Sequence, residues 1–295
     1  MRFMPPDAGQ ADTIGALLQQ AQNLLAAGPH PERAHRDAEL LLRHTLHCDA
    51  AWLFAHADDC IPSHCVQQLE PLLRRRLAGE PVQYILGEVE FWGRTFSVHP
   101  AVLIPRPETE LLVEPVLDFL RRREHPRVLD VGTGSGAIAV ALAAECPQAR
   151  CVAVDLSSDA LSVAAENASR HGVANRIEFR VSDLFSAVSG ERFDCIVSNP
   201  PYVALTDKDS LAVEVRDYEP ELALFAGVDG LAIYRRLIRA APEFLTREGM
   251  LALEIGFGQR DSIAALLTEA NFQEIHFLPD YQQIPRVALA READL

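Results

Sequence analysis

Asn199-Pro200-Pro201-Tyr202 closes the stretch FDCIVSNP (193–200), whose apolar run reads as a buried strand. A planar amide or arylamine nitrogen is a poor nucleophile because its lone pair is delocalised. Two acceptors that hold its two N–H groups would aim that lone pair at an electrophile. The Asn199 side-chain oxygen and the Pro200 carbonyl can supply them, the prolines stiffen the loop, and Tyr202 can pack on the planar group. The plain alternative is a proline-rich exit from a strand. Ligands of open α/β sheets bind at the carboxyl ends of strands, which favours the chemical reading.

A second constellation can hold the electrophile. In VLDVGTGSGAIAVALA, a buried strand ends in Gly132-Thr133-Gly134-Ser135-Gly136 and opens a helix. Glycines let the backbone approach a ligand closely. The spacing is G-x-G-x-G and not the G-x-G-x-x-G of dinucleotide enzymes. Asp130, just before the turn, would repel a pyrophosphate but tolerate an ammonium group, which fits a methionine-sulfonium cofactor, S-adenosylmethionine. Asp155, at the end of the strand read in CVAVDL (151–156), stands where an acidic residue accepts hydrogen bonds from ribose hydroxyls; taken alone it could be a helix N-cap. Asp183, ending RIEFRVSD, is a candidate for the adenine edge, against the simpler option of a loop aspartate facing water. Together these residues describe transfer of a methyl group to a planar nitrogen.

The elements needed to position them are visible in the patterning. Up to residue 86 the signals are helical. Ile14, Leu17, Leu18, Ala21, Leu24 and Leu25 follow 3.6-residue spacing, a second helix is expected over 31–46, and a third carries Val66, Leu69, Leu72, Leu73 and Leu77. Val89, Phe91, Phe96 and Val98 suggest a hairpin with Gly93-Arg94 between its strands, and a helix follows from about residue 108. Beyond it, strands at 127–132, 151–156, 176–183, 193–200, 250–256, 274–281 and 286–291 are separated, in the earlier part, by helical stretches. The pattern predicts an α/β fold with a mainly parallel sheet covered on both faces. The expected domains are a helical bundle (1–86), a β-hairpin linker (87–107) and a cofactor-binding domain (108–295).

Composition narrows the rest. The net charge of −15 disfavours gripping a phosphate backbone, so no stable nucleic-acid partner is expected. No apolar run is long enough to span a bilayer, and MRFMPPDAGQADT lacks a signal-peptide core, so a cytoplasmic address without membrane attachment is expected. The six cysteines form no Cys-x-x-Cys pair. His44, His47, Cys48, His56, Cys60, His64 and Cys65 crowd together, but their spacing matches no familiar zinc pattern, so ordinary helix and loop positions are expected and no metal.

VLDVGTGSG, VAVDLS and SNPPY, in that order, resemble the seven-stranded class I methyltransferases of nitrogen acceptors. The whole chain, through GEVEFWGRTFSVHPAVLIPRPETELLVE and DYEPELALFAGVDGLAIYRRLI, resembles the peptide chain release factor glutamine methyltransferases (PrmC/HemK). A sister family acting on a ribosomal protein typically has a serine after its IPR segment; here Pro107-Glu108-Thr109-Glu110 follows. The resemblance implies that the partner is a class 1 release factor, that its Gly-Gly-Gln glutamine is methylated on N5, and that S-adenosylhomocysteine is the other product. It carries Gly132–Gly136, Asp155, Asp183 or Leu184, and Asn199 over as cofactor contacts, and Asn199–Tyr202 as the glutamine clamp. It also implies that Phe91 and Arg106 line the site. The helical bundle itself, which carries no visible chemistry, reads as a substrate-recognition domain or as a simple cap. The family often has an aromatic residue where this chain has Leu184, so adenine stacking would pass to Phe185 or another residue. The alternatives are an N6-adenine methyltransferase of DNA or RNA using the same clamp, a catalytically silent cofactor-binding scaffold, and, more distantly, a nicotinamide dehydrogenase.

Overall fold

The computed structural model of the chain describes residues 13–292; residues 1–12 and 293–295, part of the expected domain limits, lie outside them. Two compact units are present, Met1–Gly87 with Ala212–Tyr218, and Glu88–Leu211 with Glu219–Leu295. In chain order the helices are α1 (Ile14–Leu25), α2 (Ala34–Leu46), α3 (Ala50–Ala55), α4 (Ser63–Leu77), α5 (Val82–Leu86), α6 (Glu110–Leu120), α7 (Ala137–Glu145), α8 (Ser158–Arg170), α9 (Val213–Arg216), α10 (Glu221–Leu224), α11 (Ala232–Phe244) and α12 (Arg260–Glu269). The strands are β1 (Glu88–Phe91), β2 (Arg94–Ser97), β3 (Arg127–Val131), β4 (Arg150–Asp155), β5 (Ile177–Val181), β6 (Phe193–Ser198), β7 (Leu245–Glu254), β8 (Phe272–Pro279) and β9 (Pro285–Glu292).

The first unit is a helical bundle. Its core joins the α1 stripe Ile14, Leu17, Ala21 and Leu25 to Ala38, Leu41 and Leu42 of α2 and Leu69 and Leu73 of α4, the burial that an apolar stripe at helical spacing demands. Arg76 of α4 is buried and needs paired charge. Its Nε donates to Asp37 of α2 at 2.6 Å, and its Nη2 lies 3.0 Å from Glu214 of α9. Residues 212–218 group with this bundle although they lie far along the chain, a placement absent from the expected domain limits. Among the described residues no three His, Cys, Asp or Glu side chains come together as a metal site. In the His/Cys-rich stretch, Trp52 stacks on His56 at 4.1 Å and Cys65 is buried.

The second unit holds a seven-stranded sheet in the order β5-β4-β3-β6-β7-β9-β8. The first five strands of this order are parallel, and β9 is antiparallel to both β7 and β8. Side chains alternate across the strands. Val128, Cys151, Ala153, Cys195 and Val197 face one core with α6 and α7, while Leu129, Val131, Val152, Val154 and Ile196 face another with α11 and α12. This is the class I methyltransferase fold, with helices on both faces. The α7 sequence AIAVALAAE is apolar all round because the helix is buried from Ala137 to Ala143. The hairpin turns at Trp92-Gly93, both in the left-handed region, and Arg94 already pairs with Phe91. The expected turn at Gly93-Arg94 is therefore one residue late, because a two-residue hairpin loop needs positive φ at both central positions. This hairpin packs Phe91 and Phe96 into the core of the second unit. No helix among the described residues is long and apolar enough to cross a membrane.

Candidate active site

The chain fills β3, β4 and β5 on one side of the sheet and then crosses to β6 on the other side of β3. Such a switch point opens a crevice at the carboxyl ends of the strands. A cavity of about 330 Å³ lies there, lined by Val131–Ser135, Asp155, Leu156, Asp183, Leu184, Asn199, Pro200 and Pro201, and by Pro105 and Thr109 from the stretch entering α6. The strand ends are tied in register. Gly132 N and Thr133 N donate to the Val154 carbonyl at 2.8 and 3.0 Å, and the Ser198 hydroxyl donates to the Val131 carbonyl at 2.6 Å.

The glycine turn is built for two purposes. A Cβ at Gly134 would meet nothing within 4 Å, so the space above it is open to a ligand. A Cβ at Gly136, where φ is +80°, would lie 3.0 Å from Ala164 Cβ, so this glycine lets α7 pack against α8. Asp155 anchors the turn from β4. One carboxylate oxygen accepts from Gly134 N and the other from Ser157 N, both at 2.9 Å. Each oxygen keeps further acceptor capacity toward the cavity. Ser157, not Asp155, caps α8, its hydroxyl oxygen accepting from Ala160 N at 3.2 Å.

Asp130 has a different place from the one expected. It points to the α7 side, is fully buried and does not line the cavity. Its carboxyl accepts from the Thr133 hydroxyl at 2.7 Å. Burial is the main cause that pushes its pKa up to about 7. Its local work is to hold the glycine turn from beneath.

The β5 loop is wound around Ser182, whose hydroxyl donates to the Leu184 carbonyl at 2.8 Å and accepts from Ala187 N at 3.0 Å. This holds Leu184 at a φ of +50° with its side chain on the cavity. Asp183 also lines the cavity, and its carboxylate accepts from Arg236 Nη2 at 2.8 Å. Phe185 turns the other way. It is buried, stacks on Phe244 at 4.5 Å and does not line the cavity. Leu156, more than half exposed, and Leu184 supply the apolar walls instead.

Asn199 and Pro200 sit at the far side of the turn. Asn199 Nδ2 donates to Thr109 Oγ1 at 3.1 Å, and Thr109 Oγ1 donates to Glu254 Oε2 at 2.6 Å. Among the described residues nothing donates to the Pro200 carbonyl. The loop beyond is pinned by Val203 N to the Leu224 carbonyl at 2.8 Å and by Gln259 Nε2 to the Tyr202 carbonyl at 3.0 Å. Tyr202 itself is not a wall of the cavity. Its ring packs with the α11/α12 core and against Gly256, and burial raises its hydroxyl pKa. Phe91 is likewise a core residue, edge-on to Phe96 at 5.9 Å, and Arg106 is held by Glu219 at 2.5 Å; neither lines the cavity. Sequence reasoning passed over Thr109, Glu254, Leu156 and Arg236. Only Glu254 left a trace, as a carboxylate inside the apolar run MLALEIG.

Comparisons with known proteins show what the chain is similar to. The family described as "Methyltransferase small domain" matches residues 108–215, and "PrmC N-terminal domain" matches residues 16–87. A release factor glutamine methyltransferase of Cereibacter sphaeroides is 46% identical over 276 residues, covering 94% of this chain and 97% of that protein. One of Koribacter versatilis is 45% identical over 257 residues, covering 86% and 90%. Among solved structures, the T. thermophilus 16S rRNA methyltransferase RsmC in complex with AdoMet and guanosine is similar with a TM-score of 0.53 and 21% identity, over 70% of this chain and 50% of that one.

Proposed function

We infer that the chain, which belongs to the family of release factor glutamine methyltransferases, methylates N5 of the glutamine in the Gly-Gly-Gln motif of class 1 release factors. S-adenosylmethionine is the donor and S-adenosylhomocysteine the second product. The observation that carries the reading is the pair of free acceptors at the cavity wall. Asn199 spends its Nδ2 on Thr109, which leaves Oδ1 to accept, and the Pro200 carbonyl has no donor among the described residues. Two acceptors on one wall suit the two N–H groups of a primary amide.

The residues present fit the cofactor. The open space above Gly134 admits a ligand against the backbone, Asp155 retains acceptor capacity for two ribose hydroxyls, and Leu156, Leu184 and Asp183 line the same cavity, where they would hold the adenine. When bound, the cofactor supplies an electrophilic methyl group on a sulfonium. The protein's part is orientation, which contributes much of the catalysis in an in-line displacement. Asn199 Oδ1 and the Pro200 carbonyl would fix the amide plane and aim the nitrogen lone pair. They would also accept more strongly as the N–H groups turn acidic during bond formation, so no strong base is needed beforehand. Pro201 would fill the wall behind the amide. Tyr202 acts through packing beneath the loop and not by stacking on the substrate.

We assign release-factor recognition to the helical unit, expected as a domain of its own. The N-terminal family match and the exposed Trp52 and Phe54 of α3 support this. A translation factor as substrate supports a cytoplasmic address. The test is transfer of tritiated methyl to a release factor, to the same factor with its motif glutamine changed to alanine, and to duplex DNA. Label is expected only on the intact factor, and Asn199→Ala should lower kcat at least about a hundredfold. Equal labelling of the glutamine-less factor would move the acceptor elsewhere.

A further inference from the structure

We propose that Thr109 and Glu254 are positioning residues that set the polarity of the Asn199 amide, turning Oδ1 and not Nδ2 toward the acceptor. The proposal rests on the reading of Asn199 as an amide clamp. It begins from a geometric ambiguity. The two ends of an Asn side chain are nearly the same size, and its terminal torsion is broadly two-fold. Shape alone would therefore let the amide sit either way round at the cavity wall. One orientation offers an acceptor to the substrate N–H; the other sets an NH₂ against an NH₂ and the clamp fails.

Three chain segments remove the ambiguity. Asn199 follows β6, Thr109 stands just before α6, and Glu254 ends β7. Thr109 and Glu254 are 4% and 2% exposed, so water does not compete for their hydrogen bonds. An ionised carboxylate can only accept, and a hydroxyl has a single proton to give. The Thr109 proton is committed to Glu254 Oε2 at 2.6 Å, so toward Asn199 its oxygen presents a lone pair. Only the NH₂ end of Asn199 can satisfy it, at 3.1 Å. Oδ1 is thereby left as the free end of the amide. The Glu254 backbone is fixed too, since its carbonyl accepts from the Tyr234 hydroxyl at 2.7 Å.

The device has an acid side. Arg106 and Glu108 from the segment before α6, Arg286 of β9, Tyr202 of the clamp loop and Tyr234 of α11 are the charged or titratable groups acting on Glu254. Burial outweighs the two arginines and raises its pKa to about 7. A protonated Glu254 can donate to Thr109 and free the Thr109 proton for Asn199, which draws Oδ1 away from the substrate. Clamp polarity is therefore lost as pH falls through about 7. Asp130 titrates in the same range, but beneath the glycine turn on the cofactor side.

The experiment compares full-length wild type with Thr109→Val, Thr109→Ser, Glu254→Gln and Asn199→Ala. It measures kcat and KM on a release factor between about pH 6 and 9, and S-adenosylhomocysteine affinity by calorimetry. Thr109→Val keeps the shape and removes the hydroxyl; it should lower kcat about a hundredfold with cofactor affinity within about twofold, and Thr109→Ser should recover most of the loss. Glu254→Gln should lower kcat at high pH and flatten its acid limb, because the residue no longer titrates. Thr109→Val with near-wild-type kcat, or a Glu254→Gln acid limb unchanged from wild type, overturns the proposal. Activity surviving in Asn199→Ala would sink the amide clamp and this inference with it. Loss in Asn199→Ala alone, with Thr109→Val intact, would sink only the inference.

Discussion

Asp155 is the side chain on which cofactor affinity should depend most sharply. Its two carboxylate oxygens already accept from Gly134 N and Ser157 N, at 2.9 Å each, and in the proposed complex each takes one ribose hydroxyl as well. Hydrogen bonds to an ionised group contribute about 1.5–3 kcal/mol each. The carboxylate must shed water to receive the ligand, which offsets part of that sum. The net loss in Asp155→Ala should be about 2–3 kcal/mol, a 30- to 150-fold rise in Kd. Asp155→Asn should lose nearly as much, since whichever end carries the NH₂ faces a backbone N–H on one of the two sides. Titration calorimetry with S-adenosylhomocysteine measures both variants, and thermal melting confirms that they remain folded. A Kd within twofold of wild type for both would refute the ribose assignment and leave Asp155 only as a brace for the glycine turn.

Two further perturbations test the framework. Asp130 holds its proton to about pH 7 when folded, against 3.8 when unfolded. The folded state thus binds more protons between those limits, and its stability falls as pH rises through that window. Asp130→Asn carries no such penalty, so its stability relative to wild type should improve by about 3 kcal/mol between about pH 5 and pH 8. Urea denaturation at both pH values measures it, and a constant difference would show that Asp130 is not buried as a neutral acid. In the helical unit, Asp37→Ala strands part of the charge of Arg76, which is 3% exposed. It should destabilise that unit by about 3–5 kcal/mol, and a shift below about 1 kcal/mol in urea would mean that Glu214 suffices alone.

What could be read from the chain alone is what short-range chemistry dictates. The apolar runs that became β3, β4 and β6, the glycine turn that needs open space at Gly134, the acid closing β4 and the Asn199-Pro200 corner each declare themselves within a few residues. An apolar strand, a positive φ or a stiff proline loop is a local property of the residues that make it. The weakly amphipathic α12 was not legible, because its pattern barely distinguishes its two sides. Tertiary structure alone decided which way the chemically suggestive side chains face. Phe91, Phe185 and Tyr202 are aromatic in either setting, yet packing turned them into cores and left Leu156 and Leu184 at the cavity. It placed β9 between β7 and β8, and it returned residues 212–218 to the helical unit, where Glu214 meets Arg76. It also joined Thr109 to Glu254 across 145 residues of sequence. Hydrogen bonds and buried charge pairs act over about 3 Å of space and are indifferent to distance along the chain, so the partners that orient Asn199 exist only once the fold has brought two strand ends and a helix entry to one point.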